Sequence, residues 1–284
     1  MPTLARRAMR ALLPEPTGEV DVAAAYAIPP DAGRDRPFVR CNMISSLDGA
    51  IAVNGRSGKL GGPADRRLFQ VLRSLVDVVL VGAGTARAEG YGPVRVSEKL
   101  RERRRQRGQS AVPPIAVVTR SANLDWSSPL FTEAEARPII VTTSDCDKGE
   151  WSRGEKVADF VVAGESRVDP RLALDHLHRA GYRSVLLEGG PGLNADVVRA
   201  GLLDELCLTV SPRLVGGPGP RVLAGPELVS PLELDGLHLL EEDGFLFHRL
   251  AVRPPASAED RGRPRGTDHR RSQALSRPVG RAGA

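Results

Sequence analysis

The sequence predicts an α/β protein with a mostly parallel central sheet, helices on both faces and an antiparallel hairpin at its C-terminal end. From residue 38 to residue 252, short apolar runs bounded by glycine and proline alternate with amphipathic segments, a pattern typical of strands alternating with helices. Strands connected through helices pair in parallel and are buried on both faces. The last two predicted strands, 237–241 and 245–252, are joined by Asp243 and Gly244, which favour a tight hairpin turn.

Two helices carry the clearest local signals. The segment from Pro63 to Leu75 is predicted to be helical because proline suits a first helical turn and apolar residues then recur every three or four positions. The segment 169–181 begins with Asp169 as the N-cap and ends at Gly181. The remaining predicted elements are, in order, a strand at 38–45, a strand at 78–82, a helix at 84–89, strands at 111–120, 138–143 and 160–163, a strand at 185–187 with a helix from Pro191, and a strand at 205–211.

Charge and composition set the ends apart from the middle. Residues 1–36 are predicted to be a loosely structured leader with a short helix near 5–12, and residues 37–253 the folded domain. The tail 254–284 carries seven arginines against three acids, lacks any apolar period and is predicted to be disordered. The segment 99–107 has six basic residues and one acid, and 99–110 is predicted to be an exposed loop. The remainder is mildly acidic, so the pI near 9.5 gives little support to nucleic-acid binding.

The cysteines and the hydropathy indicate the cellular setting. Three widely spaced cysteines without a C-x-x-C motif support neither a disulfide framework nor a zinc site, so a reducing cytoplasm is expected. No apolar run approaches 18 residues, and no membrane span is expected. The five histidines form no spacing typical of metal ligands, and we assign no metal.

The stretch 185–201 carries the strongest functional signal. Three apolar residues run into Glu188, paired glycines follow at 189 and 190, and a helix starts at Pro191. Such a strand, turn and helix present backbone N–H groups to a phosphate. The alternative is a glycine turn beside a solvated acid. Glu188 ends an otherwise apolar strand, and a carboxylate at such a position is expected to have a function rather than to be merely solvated.

Two further strand ends could bind the same ligand. Gly82 and Gly84 permit close approach of backbone, and Thr85 can cap the next helix while donating to a phosphate. Taken alone, this segment could equally be a tight turn without a ligand. Thr119 and Arg120 suit a phosphate monoester, such as the 2′-phosphate of NADP, although an exposed arginine in an arginine-rich protein is the simpler interpretation of that pair.

Residues 45–49 and the 63–75 helix add polar side chains. Ser46 and Asp48 follow the first core strand, where an Asp-Gly turn without function is the alternative. Arg73 lies on the helix face away from the leucine stripe, where a solvated arginine is the ordinary interpretation. A nucleophile elbow, a Walker loop and the zinc-deaminase signature are all missing from the sequence.

Taken in order, these motifs resemble the RibD C-terminal or pyrimidine reductase family of riboflavin biosynthesis. The similarity covers about Phe38 to Val252. The motifs that carry it are SLDGAIA (46–52), LR (72–73), VVLVGAGT (78–85), VVTRS (117–121), LLEGGPGLN (186–194) and LLDELCLTVSPRLVGG (202–217). The resemblance implies a dihydrofolate-reductase-like fold, NADPH as cofactor, and reduction of the ribosyl group of 5-amino-6-ribosylamino-pyrimidinedione 5′-phosphate to ribityl. Residues 1–37 are too short for the zinc deaminase to which many members are fused, so a stand-alone reductase is expected.

The resemblance also assigns roles to individual residues. Glu188 and Asp48 are expected to be catalytic, one of them stabilising the cationic imine that forms when the ribosylamine opens. The substrate-binding candidates are Ser46, Ser57 and Arg73. The cofactor-binding candidates are Gly82, Gly84, Thr85, Glu89, Thr119, Arg120, Gly189, Gly190, Gly192, Leu193 and Asn194.

One segment departs from the family pattern. Where the family has an Asp-Asp-Pro turn, this chain has AEGYGP at 88–93, which keeps an acid at Glu89 but has Gly90 and Tyr91 at the next two positions. Recognition of the substrate phosphate therefore stays open, and a dihydrofolate or pterin reductase on the same fold is the second hypothesis. A basic-tailed nucleic-acid-binding module and a non-catalytic nucleotide sensor are more remote alternatives. A homodimer is expected from the resemblance and from an exposed sheet edge.

Overall fold

The parallel part of the sheet is built by strands that are apolar on both faces. The computed structural model describes residues 8–254. In the strand Val78–Gly82, Val79 and Val81 pack into one core, while Val78 and Leu80 pack into the other. This two-residue alternation is why continuous apolar runs appear in the sequence.

Eleven strands form a single sheet. They are β1 (Arg10–Leu13), β2 (Thr17–Glu19), β3 (Phe38–Ser46), β4 (Val78–Gly82), β5 (Ile115–Val118), β6 (Ile139–Thr142), β7 (Asp159–Val162), β8 (Ser184–Leu187), β9 (Glu205–Ser211), β10 (Leu234–Glu242) and β11 (Phe245–Val252). Their spatial order is β2-β1-β10-β11-β9-β3-β8-β4-β5-β6-β7. Pairing is parallel from β9 through β3 to β7, and antiparallel from β9 through β11 to β2. The predicted fold class, with its C-terminal hairpin, is confirmed.

Helices cover both faces of this sheet. They are α1 (Val22–Ala25), α2 (Pro63–Leu75), α3 (Ala83–Glu89), α4 (Glu98–Gln106), α5 (Pro129–Thr132), α6 (Lys148–Gly154), α7 (Pro170–Arg179) and α8 (Pro191–Arg199), with a 3₁₀ turn at Ser57–Lys59. Leu68 and Leu72 of α2 pack into one core. Leu174 of α7 and Val197 of α8 pack into the other. These three helices thus bury their apolar stripes against the sheet, as their spacing predicts.

The N-terminal segment differs from the loosely structured leader expected for residues 1–36. Residues 10–13 are a strand rather than part of a helix, because β1 pairs antiparallel with β10 and with β2. Two arginines buried in the sheet hold the residues that follow. Arg40 Nη1 donates to the Tyr26 carbonyl at 2.7 Å, and Arg249 Nη1 donates to the Ala25 carbonyl at 2.7 Å. These partners are far away in sequence, so local patterns gave no sign of them.

Glu205 balances part of that buried charge. Its carboxylate accepts from Arg40 Nε at 2.8 Å and from Arg249 Nη2 at 2.6 Å. All three side chains are buried. Buried charges persist in proteins only where they are paired and hydrogen-bonded, so this cluster fixes α1 firmly against β3, β9 and β11.

The arginine-rich segment 99–110 is not the exposed loop that its composition predicts. Most of it is helix α4, and Arg104 is fully buried. The guanidinium of Arg104 donates to the carbonyls of Val76 at 2.6 Å and Ser74 at 3.1 Å, at the C-terminal end of α2. A cation satisfies the free carbonyls at a helix end and its negative dipole. A run of similar arginines does not reveal which one is used in this way.

Within residues 8–254, no helix combines the length and the apolar character needed to cross a membrane. The same residues contain no group of three or more His, Cys, Asp or Glu side chains placed to hold a metal ion. The tail, which the sequence predicts to be disordered, lies outside the described residues from position 255 onward.

Candidate active site

Two cavities lie where β4, β5 and β8 end. The first, of about 700 Å³, is lined by Arg87, Arg120 and Arg167, and we call it the arginine cavity. The second, of about 870 Å³, is lined by Asp65, Glu89 and Glu188, and we call it the carboxylate cavity. Ligands of open α/β sheets bind at the carboxyl ends of parallel strands, so both cavities are in the expected place.

The two cavities meet at a pair of tightly packed turns. Gly84, Thr85, Gly190 and Pro191 line both of them. The Gly82 N–H donates to the Gly189 carbonyl at 2.7 Å. A Cβ atom on Gly190 would lie 2.6 Å from Thr85 Oγ1. Glycine is therefore required at position 190, because any side chain there would push the two turns apart.

The arginine cavity has the chemistry of an anion site. Helix α8 begins after Gly190 with no side chain capping its first N–H groups, which leaves donors at that end of the cavity. Thr119, Arg120 and Ser121 line another wall, after β5. Of the three arginines, Arg167 pairs loosely with Asp196, at 3.6 Å. Uncapped N–H groups together with a surplus of guanidinium charge fit a ligand that carries more than one phosphate.

At the floor of the carboxylate cavity, Arg73 and Glu188 form a bidentate ion pair. Arg73 Nε donates to Glu188 Oε1 at 2.7 Å, and Arg73 Nη2 donates to Oε2 at 2.6 Å. The side chains are 14% and 2% exposed, respectively. Burial by itself lowers the pKa of Arg73, but the charge and hydrogen bonds of Glu188 outweigh burial and raise that pKa above its ordinary value. Arg73 therefore keeps its positive charge at neutral pH.

Tyr91 completes this cluster from the segment that departs from the family pattern. Its hydroxyl donates to Glu188 Oε2 at 2.8 Å, and its ring centroid lies 5.3 Å from Arg73 Cζ. The ring centroid of Phe69 lies 4.1 Å from the same atom. Burial, followed by the Glu188 charge, raises the pKa of Tyr91 well above its ordinary value, so the hydroxyl keeps its proton.

The match to a known family covers most of the chain. A model of the RibD C-terminal domain matches residues 37–244. This chain belongs to the RibD C-terminal domain family.

Named relatives agree with the family. A 2,5-diamino-6-ribosylamino-4(3H)-pyrimidinone 5′-phosphate reductase of Archaeoglobus fulgidus is 29% identical over 212 residues, or 74% of this chain and 96% of the relative. A protein of the same name from Methanothermobacter thermautotrophicus is 31% identical over 214 residues, 73% of this chain and 95% of the relative. A solved pyrimidine reductase-like protein from Corynebacterium diphtheriae superposes with a TM-score of 0.73 at 27% identity, covering 83% of this chain and all of that one. The protein is thus a reductase of this family.

Most residues that the sequence assigns to the cofactor line the arginine cavity of this RibD C-terminal domain. They are Gly82, Gly84, Thr85, Thr119, Arg120, Gly190, Gly192 and Leu193. Gly189 and Asn194 line neither cavity. Asn194 is buried and donates to the Val222 carbonyl at 3.0 Å, so it holds the loop after β9 against α8. Its placement as a cofactor contact is not supported, because its side chain points toward that loop.

Glu89 and Ser57 lie together on the carboxylate cavity rather than on the arginine cavity. The Glu89 carboxylate accepts the Ser57 backbone N–H at 2.6 Å. Glu89 was expected beside the cofactor. Its single carboxylate instead fixes the 57–59 turn to the end of α3, on the side where Ser57 was expected to meet the substrate.

Ser46 and Asp48 line neither cavity. The Ser46 hydroxyl donates to Asp48, and the exposed Asp48 carboxylate also accepts the Gly216 N–H at 2.6 Å and the Val215 N–H at 3.2 Å. These bonds, the Ser46 bond first, lower the pKa of Asp48 to about 2. Their assigned contact with the substrate stays a prediction. Their bonds hold residues 215 and 216, at the start of the segment 215–220 that forms a wall of the carboxylate cavity.

Sequence reasoning missed several lining residues. Asp65 and Phe69 lie on the face of α2 that also carries the predicted Arg73, at spacings of four, and all three line the carboxylate cavity. That spacing, beside the leucine stripe, could have indicated a second functional face on the helix. Arg87 and Arg167 carried no such signal, because arginine is abundant throughout this chain.

Proposed function

We propose that this protein is an NADPH-dependent reductase that converts the ribosyl group of a 6-ribosylaminopyrimidine 5′-phosphate to a ribityl group. The observation that carries the proposal is the shared wall of the two cavities. Gly84, Thr85, Gly190 and Pro191 border both, so a ligand extending from the arginine cavity reaches the edge of the carboxylate cavity. A cofactor and a substrate bound on the two sides would meet there.

The arginine cavity favours a phosphorylated dinucleotide. The first N–H groups of α8 and the residues Thr85 and Gly192 would hold its pyrophosphate. Arg120, together with Ser121 and Arg87, would bind a 2′-phosphate, which is what separates NADPH from NADH. When bound, the reduced nicotinamide supplies the hydride.

The carboxylate cavity would bind the pyrimidine and its sugar. The archaeal relatives are named for the 2,5-diaminopyrimidinone phosphate, while the pyrimidinedione phosphate is the substrate expected from the sequence motifs. Both carry the same ribosylamine, whose ring opens to an imine that accepts hydride at C1 of the sugar. Binding in a fixed orientation can contribute about 7–11 kcal/mol to such a step.

Glu188 is the residue that we propose to stabilise positive charge on that imine. Its carboxylate is buried at the end of β8, and Arg73 and Tyr91 hold both oxygens in place. A charge fixed in this way needs no reorganisation when charge develops on the substrate. Asp48, the other candidate, lines neither cavity, so Glu188 alone carries this proposal.

The test is NADPH oxidation by the purified full chain with each pyrimidine phosphate, and with dihydrofolate as the comparison substrate. We expect turnover with at least one ribosylaminopyrimidine and formation of its ribityl product, identified by mass. The segment AEGYGP at 88–93 replaces the Asp-Asp-Pro turn of the family, and this difference keeps the dihydrofolate reaction as the second hypothesis. Turnover of dihydrofolate alone would replace the proposed function with that one, and cofactor binding without any turnover would indicate a nucleotide sensor.

We also propose a homodimer in a reducing, cytoplasmic compartment. The three cysteines of the described residues are unpaired and buried, which suits a reducing environment. Leu47 and Leu214 are 62% and 78% exposed, an amount of apolar surface that favours association. Sedimentation velocity would test the dimer, and a single species at the monomer mass at micromolar concentration would contradict it.

A further inference from the structure

Asp65 lines the carboxylate cavity, but the proposed reaction assigns it no role. It lies in the first turn of α2 and lines the cavity on the same helix face as Phe69 and Arg73. A Cβ atom on Gly61 would come within 2.7 Å of Asp65 Oδ2. The carboxylate is therefore packed beside the backbone rather than extended into solvent.

The acceptor capacity of this carboxylate is mostly unused. The Thr209 hydroxyl, buried on β9, forms a hydrogen bond with it, and Arg66 acts on it through its charge without an ion pair within residues 8–254. Burial, as the largest effect, raises the pKa of Asp65 above its ordinary value. Two carboxylate oxygens accept about four hydrogen bonds when fully satisfied. Asp65 thus has room for two more donors on its cavity side.

The other two carboxylates of the cavity differ from Asp65. Both oxygens of Glu188 are held by Arg73, and Tyr91 adds a third bond. Glu89 accepts the Ser57 backbone N–H, which fixes its orientation. Of these three, Asp65 differs because, within residues 8–254, neither a guanidinium nor a backbone N–H donates to it. The unused acceptors of Asp65 suit a ligand with two adjacent hydrogen-bond donors.

The two candidate pyrimidines differ in how they meet a carboxylate. A 2-amino-4-oxopyrimidine presents two adjacent donors, the N3–H and the 2-amino group, which match the two oxygens of one carboxylate. A 2,4-dioxopyrimidine presents the N3–H beside a C2 carbonyl, and that oxygen would face a carboxylate oxygen without a proton between them. A site built for paired donors rejects an analogue that lacks one of them, because its buried acceptor is left unpaired.

We infer that Asp65 selects the 2-amino-4-oxopyrimidine edge of the substrate over the 2,4-dioxopyrimidine edge. This inference rests on the proposed function for its substrate class, and it names the 2-amino compound as the preferred substrate over the pyrimidinedione expected from the sequence. The names of the archaeal relatives agree with that choice. A pterin carries the same edge, so Asp65 would bind either ligand through the same two donors.

Binding of the reaction products tests the inference without depending on turnover. The full chain is titrated by calorimetry with the 2,5-diamino-6-ribitylamino-pyrimidinone phosphate, with the corresponding pyrimidinedione phosphate, and with dihydrofolate, which carries the edge without the ribityl phosphate. We expect the 2-amino phosphate to bind about 10- to 100-fold more tightly than the dione, the range that one or two hydrogen bonds to a charged group provide. Comparing the dissociation constants of the 2-amino ribityl phosphate and of dihydrofolate shows which of the two ligands with this edge the protein prefers.

Asp65→Asn is the decisive variant. Its amide offers one acceptor and one donor, which match the N3–H and the C2 carbonyl of the dione, so the preference should disappear or reverse. Glu133→Gln is the matched control, because it removes one carboxylate charge at an exposed position outside both cavities and should leave the ratio of the two dissociation constants unchanged. Asp65→Ala, which removes both acceptors, serves if the asparagine variant does not fold.

Each outcome decides the question. The inference would be overturned if the wild type bound both pyrimidines equally, bound the dione more tightly, or bound neither. It would also be overturned if a folded Asp65 variant kept the same ratio of the two dissociation constants. Steady-state turnover of the dione phosphate in the same preparation would leave the proposed reductase function intact. Selective binding that depends on Asp65, without any NADPH oxidation, would instead support the inference while overturning the proposed function.

Discussion

Arg73 meets Glu188 edge to edge, with two parallel hydrogen bonds of 2.6–2.7 Å at the end of β8. The contact joins residues 115 positions apart in the sequence and places a salt bridge in the lining of the carboxylate cavity. The rings of Phe69 and Tyr91 also contact Arg73, at 4.1 Å and 5.3 Å from its Cζ, and these cation–π contacts add to the ion pair in holding the guanidinium.

Glu188→Gln should lower kcat/KM for the pyrimidine substrate by about 10²–10³-fold, the usual effect of removing a fixed electrostatic group. The KM for NADPH should change little, because the ion pair lies on the carboxylate cavity alone. Steady-state NADPH oxidation measures both quantities. Arg73→Lys is the companion variant, since it keeps the charge but cannot make the bidentate contact. Full kcat/KM in Glu188→Gln would rule out the proposed catalytic role.

Arg120→Ala should raise the KM for NADPH by about 10- to 100-fold, the effect expected when a charged hydrogen bond to phosphate is lost. The KM for NADH should stay nearly constant, because that cofactor has no 2′-phosphate for Arg120 to bind. Kinetics with the two cofactors give the ratio. Arg137→Ala, an exposed arginine that lines neither cavity, controls for the loss of a positive charge. Equal losses with both cofactors would argue against the assignment.

Arg104→Ala should lower the free energy of unfolding by about 2–4 kcal/mol, because the carbonyls of Ser74 and Val76 lose their buried donor. Arg105→Ala on the same helix removes only exposed pairs with Glu98 and Glu102, which solvent screens, and should cost much less. Chemical denaturation of the three proteins measures the difference. Similar losses in both variants would mean that the capping contact contributes little.

Asp48→Asn should destabilise the protein at neutral pH, and that difference should vanish in acid. The pKa of Asp48 in the folded state is about 2, below its ordinary value of 3.8, so its contribution is fully present above about pH 4. The contribution is lost as the pH falls toward 2. Thermal unfolding of both proteins from pH 7 to pH 2.5 follows the gap in Tm. A gap that stays constant down to pH 2.5 would contradict the assigned hydrogen bonds.

Local sequence patterns were sufficient for the elements whose determinants are local. Helix α2 has its predicted limits, because Pro63 and the leucine stripe act within one segment. The strands β4 and β9 also have their predicted limits, and the two residues Asp243 and Gly244 adopt the positive φ angles that a tight hairpin turn requires. In each case, the physical cause lies within a few residues of the element.

The features that the sequence did not predict depend on distant partners. Arg104 is buried because the end of α2 needs donors, and β1 is a strand because β10 offers it an open edge. Within the site, Glu188 and Gly190 could be placed because strand ends converge at one edge of a parallel sheet. Asp48 could not be placed in that way. Its carboxylate turns toward the backbone of residues 215 and 216, on a loop whose path no local pattern defines.

The contact of residues 25–27 with Arg40 and Arg249 sets a limit on how the protein can be shortened. The family match begins at residue 37, which makes that position a natural point at which to truncate the gene. A fragment starting there would leave β10 with an unpaired backbone edge, and would strip the two buried guanidiniums of their carbonyl acceptors at Ala25 and Tyr26. Open edges recruit other chains. We expect such a fragment to aggregate on expression, although every residue of both cavities would still be present.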